Sequence, residues 1–129
     1  MADLAPFPDV EDLLVRALAG FGTCGTVTPP DLQPRLPFVR VQRLGGGDRI
    51  TDAPRVDIGV AAATRAEAMA LARAIQQRLL SGPVRVPGAR VIDRAVTEMG
   101  PHEAPADDPH TRHVVQTFRM ALRRPAAAP

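Results

Sequence analysis

The chain contains one cysteine, no tryptophan and no tyrosine, and each shortage removes a class of function. A lone thiol, Cys24, permits no intrachain disulfide and no thiolate-based structural zinc site. It lies between Thr23 and Gly25 with no base or cation beside it in sequence, so it reads as an inert small residue, not a nucleophile. Phe7, Phe21, Phe38 and Phe118 are the only aromatic rings, too few for the stacking platforms that hold single-stranded nucleic acid. Lysine is absent too: all 16 basic residues are arginine, set against 14 acidic ones. With no lysine or tyrosine to titrate, a net charge of only +2 gives a pI of about 9.9. That balance is not the cationic excess of a nucleic-acid binder. Long apolar runs are missing; the longest, around Val60 to Ala63, is far short of a membrane span. The opening MADLAPFPDVEDLL is acidic and lacks the basic and apolar regions of a signal peptide, so synthesis in the cytoplasm is expected.

What is present describes an ordinary small domain. Within 129 residues, 45% are hydrophobic and 23% charged, enough for one core and little more. Asp9 is placed to cap a helix reaching about Ala19, with Glu11 and Asp12 in its first turn and an apolar stripe of Val10, Leu13, Leu14, Ala17 and Leu18. Gly20 and Gly22 end it. A proline-rich connector follows, in which Thr23 to Val27 fits a short edge strand. Phe38 to Leu44 has strand composition with apolar residues on both faces, and Arg55 to Ala62 alternates, with Val56, Ile58 and Val60 on one side. Between them, Gly45, Gly46, Gly47 and Asp48 predict a flexible hairpin loop. Thr64 to Glu67 is a capping box opening a helix to Leu80, whose buried face is Ala68, Leu71, Ala72, Ile75 and Leu79. Two more strands are expected at Val91 to Met99 and His113 to Arg123, the last burying Val114, Phe118, Met120 and Leu122. A proline-rich acidic loop, Gly100 to Asp108, joins them. The expected fold is α+β in the order α-β-β-α-β-β, a mixed or antiparallel sheet with two helices packed on one face. A single domain over 1–124 and a disordered tail over 125–129 complete it.

No constellation supplies a reaction. His102, Glu103, Asp107, Asp108, His110 and His113 carry ligand types suited to zinc or iron. Their spacing matches no helical metal motif, and His110 and His113 would face opposite sides of a strand. A polar hairpin loop, with Pro101, Pro105 and Pro109, explains them better. The triple glycine leads into a strand, whereas a phosphate cradle leads into a helix. Ser81, the only serine, ends a helix and is not in a nucleophile elbow. No catalytic residue, metal or cofactor is therefore assigned, although a small metal-dependent enzyme using the histidine cluster stands as a distant alternative.

The segments Phe7-Pro8-Asp9-Val10-Glu11, Pro37-Phe38-Val39-Arg40-Val41 with Gly45-Gly46-Gly47, Arg55-Val56-Asp57-Ile58, and Ala63-Thr64-Arg65-Ala66-Glu67-Ala68 resemble tail terminator proteins of long-tailed actinobacterial phages. Asp107-Asp108-Pro109 and the closing Leu122-Arg123-Arg124 fit as well, so the resemblance runs from about Phe7 to Arg124. It implies a virion structural protein, made and assembled in the host cytoplasm and located at the neck between tail and head. It implies a homohexameric ring that caps the tail tube, ends tube polymerisation and receives the head-completion or stopper protein, while DNA passes through the lumen unread. A neighbouring neck component, a connector or head-closure protein, is the near alternative. On loop placement, Gly45, Gly46, Gly47, Asp48 and Arg49, with Pro101, His102, Glu103, Asp107 and Asp108, are the candidate interface loops. Phe38, Arg40 and Gln42 are the candidate ring-packing positions.

Overall fold

The computed structural model describes residues 7–48, 51–86, 90–105 and 108–123. Its elements are α1 (Val10–Ala17), β1 (Thr23–Gly25), β2 (Phe38–Asp48), β3 (Thr51–Ala62), α2 (Arg65–Leu80), β4 (Val84–Val86), β5 (Arg90–Ala104) and β6 (Arg112–Arg123). Two short 3-10 turns, Ala19–Phe21 and Gln33–Arg35, lie in the connections around β1. The expected tail 125–129 lies outside the described residues.

Both helices start where side-chain chemistry tells them to. Asp9 Oδ1 accepts from the Glu11 amide at 3.0 Å, and Thr64 Oγ1 accepts from the Glu67 amide at 3.2 Å. Caps of this kind contribute about 1 kcal/mol each. α1 closes at Ala17, two residues before the expected end, because the chain tightens into the 3-10 turn ahead of Gly22 at φ 152°. Along α2, Ala68, Ala72, Ile75 and Leu79 are buried as the helical spacing requires, and Leu71 is half-buried beside them.

The six strands form one mixed sheet in the order β1-β2-β3-β6-β5-β4. Only the β1–β2 pair is parallel; every other pair is antiparallel. The order of the long elements follows the sequence pattern, but three strands, not two, lie on each side of α2. β1 and β4 are the additions, each three residues long, too short to display a period. One face of the sheet is set by parity. Val39 and Val41 of β2, Val56, Ile58 and Val60 of β3, and Val114, Phe118, Met120 and Leu122 of β6 join residues of both helices in one buried cluster. α2 contacts β3, β5 and β6, whereas α1 contacts β1, β2 and β4. Since β1 and β4 are the two edges of the sheet, α1 spans the gap between them, and the sheet curls around it. A buried Gln116 shares this face, its Nε2 donating to the Ala72 carbonyl of α2 at 2.7 Å.

Candidate assembly surfaces

The structure redraws both hairpins. Gly45, Gly46, Gly47 and Asp48 are not a loop; they continue β2 and pair with Arg55, Pro54, Ala53 and Asp52 of β3. A bulge between Arg43 and Gly45 shifts the register first, so glycines that look like a flexible tip in sequence serve as an irregular strand. At Gly46 the reason is local. Its φ is +117°, and a Cβ there would lie 2.2 Å from the Ala53 carbonyl oxygen, a separation only glycine avoids. Gly100 to Ala104 likewise extend β5 beyond its expected end at Met99, across register shifts at Thr97/Met99 and Met99/His102. Pro101, His102 and Glu103 are therefore strand residues. Pro101 is tolerated because β5 has no strand neighbour on that side among the described residues. Arg49 and Asp107 lie outside the described residues.

Each hairpin is braced, by different means. At the base of the first, Arg43 and Asp52 form a bidentate pair, both bonds 2.7 Å, with the Asp52 side chain only 3% exposed. Glu11 of α1 accepts from the Arg43 amide at 2.9 Å, fastening the helix to the same point. At the second, Asp108 accepts from the His110 amide at 2.8 Å and from Gln33 Nε2 at 2.9 Å. Gln33 Nε2 also donates to the buried Thr111 hydroxyl at 2.7 Å, drawing the long connector onto the hairpin end. The His110 amide first, then Gln33, holds the Asp108 carboxyl below its ordinary range. Glu103 bridges Arg112 of β6 at 3.1 Å and Arg65 of α2 at 3.4 Å. A surface pocket of about 610 Å³ lies there, lined in part by Glu103, Asp108, Arg112 and His113.

Parity in sequence could have exposed one of these braces. Asp52 shares the inward face of β3 with Val56, Ile58 and Val60, and Arg43 that of β2 with Val39 and Val41. A carboxylate and a guanidinium on apolar faces of adjacent strands are a pairing signal. Gln33 with Asp108 gives no such signal, being 75 residues apart in loops.

The two hairpin ends lie at opposite ends of the strands. Thr51, beside the first turn, pairs with Arg123, while Ala62 pairs with Arg112, beside the second. The distance between them along β3 is about 35 Å at roughly 3.3 Å per residue.

Of the ring-packing candidates, Arg40 and Gln42 lie exposed on the outer face of the sheet, whereas Phe38 is 5% exposed and buried within the subunit. Gly25 of β1 packs against its ring, where an added Cβ would lie 3.2 Å away. The outer face also carries ion pairs. Glu98 binds both Arg55 at 2.8 Å and Arg119 at 3.2 Å, and the Arg55 hydrogen bond chiefly lowers its pKa. No group of three histidine, cysteine or carboxylate side chains among the described residues is arranged to hold a metal. The Cys24 Sγ donates to the Leu18 carbonyl at 3.2 Å, and burial raises its pKa, which keeps the thiol protonated. No helix among the described residues is long and apolar enough to cross a membrane.

Comparison with known proteins completes the picture. The model of a family described as phage tail termination protein matches residues 6–129. The chain belongs to that family. It is thus a structural component of the virion tail. Among solved structures, a chain of the virion of a native gene transfer agent particle is similar to it, with a TM-score of 0.55 at 17% identity. The match covers 85% of this chain and 84% of that one, and at this identity it establishes a shared fold. No curated protein matches in sequence.

Proposed function

We propose that this tail terminator assembles as a homohexameric ring on the last ring of tail-tube protein. There it stops tube growth and presents its opposite side to the head-completion or stopper protein. The lumen passes DNA without reading it, and the ring performs no catalysis. The observation that carries this reading is the placement of the two hairpin ends. A terminator must contact two partners on opposite sides, and this sheet carries its two braced turns at opposite ends of the same strands. The β2–β3 connection that follows Asp48, at the end of the Gly45 to Arg49 segment, then serves one joint, and Pro101 to Asp108 the other. Family membership supports the tail location, and the ion-paired outer face suits a packing role.

The test is direct. Purified protein added to polymerising tube protein should give short tubes bearing a sixfold ring at one end in electron micrographs. Unchanged tube lengths would overturn the proposal. A bulky insertion after Asp48 should block one joint and an insertion after Pro105 the other. Loss of the same joint in both variants would overturn the assignment of the two ends.

A further inference from the structure

Two long strands have backbone left over, apart from the Gly45 carbonyl, which accepts from Arg43 Nε at 3.2 Å, and the Gly100 carbonyl, 3.0 Å from His102 Nδ1. β1 pairs with β2 only at Phe38, Val39 and Arg40. Beyond these, Glu11 takes the Arg43 amide, and from Leu44 to Asp48 no strand lies on the outer side of β2 among the described residues. At the other end of the sheet, β4 pairs with β5 only at Arg90, Val91 and Ile92. From Asp93 to Ala104, β5 has β6 on one side and no strand on the other among the described residues. Unpaired strand edges of this length template pairing with an extended chain unless the fold blunts them.

Side chains along the two edges match. Of the exposed large hydrophobic residues, Leu44 (45% exposed) lies at the start of the open part of β2. Val96 (44%) and Met99 (56%) lie on the open part of β5. A shallow, mainly apolar groove of about 430 Å³ opens beside Val96, lined also by Ala53, Ala121, Arg94, Glu98 and Arg119.

The glycines supply an independent observation. Gly46 is required by its own subunit, as shown above, but Gly47 is not. A Cβ on Gly47 would have nothing within 4 Å, and its φ is not positive. The same is true of Gly100 in β5. Each open edge therefore carries a glycine for which the isolated subunit gives no reason, and a bare backbone within a strand suits close approach by another backbone.

We propose that the open edge of β2, Leu44 to Asp48, pairs with the open edge of β5 near Val96 to Gly100 of a neighbouring copy, with Leu44 covering Val96 and Met99. The occupant is a second copy because the same chain carries both halves of the match, on opposite edges of one sheet. Such a contact joins two different surfaces, so it repeats around an axis and closes a ring where the rotation per subunit divides a full turn. The sheet then runs on from subunit to subunit. This rests on the ring reading above and names the surfaces that build it.

The test uses the full chain in a Cys24→Ser background with Leu44→Cys or Met99→Cys. Mixing the two single variants under mild oxidation should give a cross-linked dimer, and neither variant alone should. Cross-linking of a single variant with itself would overturn the proposal, because it signals a twofold contact. Absence of cross-links in the mixture, and in a Leu44→Cys plus Val96→Cys mixture, would also overturn it. Native mass spectrometry separates the two readings: rings without cross-links refute this interface and leave tube capping standing, whereas a monomer that never assembles on tubes refutes both. Gly47→Val should keep the circular dichroism spectrum of the parent while weakening assembly at least about tenfold. Unchanged assembly would count against the edge.

Discussion

The two hairpin ends have the same topological position and are secured in opposite ways. The β2–β3 end is held from within: Asp52 is buried, its guanidinium partner Arg43 reaches it from the adjacent strand, and α1 fastens the same point through Glu11. The β5–β6 end is held from outside, by Asp108, Gln33 and the Glu103 ion pairs at the surface. A buried ion pair is costly to break from one side, because the remaining charge stays desolvated. Exposed pairs are screened and individually weak. The first end should therefore be rigid and intolerant of substitution, and the second adjustable and sensitive to solution conditions.

The comparison is broken most severely at Asp52. Arg43→Ala leaves that buried carboxylate without its partner and should cost about 3 kcal/mol, a fall of about 10 °C in the thermal midpoint for a chain of this size. A change below about 2 °C would show that the pair is no brace. Next comes Gly46→Ala, which forces a Cβ against the Ala53 carbonyl at positive φ and should cost about 2 kcal/mol. Urea denaturation with Gly47→Ala as the control, expected within about 0.5 kcal/mol of the parent, isolates the effect.

Asp108→Ala should lower the midpoint less than either. Its signature is local: faster hydrogen exchange at the His110 amide with no change at Arg43. The same end should respond to acid. Asp108 has a folded-state pKa below its unfolded value, so its contribution is present above the ordinary aspartate pKa of about 3.9. It is lost as pH falls through the lower, folded-state value. Exchange at His110 should accelerate over that range; unchanged exchange there would remove Asp108 as the brace of this end. The smallest effect is on the outer face, where Arg55→Ala should raise the Glu98 pKa towards its ordinary value in an NMR titration. An unmoved Glu98 would show that Arg55 is not its main partner.

Elements with a strong period were legible in the chain. The α2 face of Ala68, Ala72, Ile75 and Leu79, and the inward sets of β3 and β6, follow from spacing and are buried as expected. Three-residue strands such as β4 carry no period to read. Glycine misled for a specific reason. Gly45 to Gly47 signal a loop by composition, yet their partners are Arg55, Pro54 and Ala53, and such pairing is decided by the opposite strand. Pro101 misled in the same way, since proline is excluded from central strands but permitted along an edge. The candidate surfaces were legible as segments and not as places: nothing local indicates that Gly45–Asp48 and Pro101–Asp108 lie at opposite ends of the sheet.

By itself, then, the sequence determined the α+β class, the caps at Asp9 and Thr64 and the main apolar faces. These depend on residues within a few positions of one another, where helical and strand periods and short-range hydrogen bonds act. Tertiary structure alone decided the Gln33–Asp108 brace, the burial of Phe38 beside β1, and the open edges of β2 and β5. Those depend on which strands become neighbours, and strand order is set by the packing of the whole core around α1 and α2.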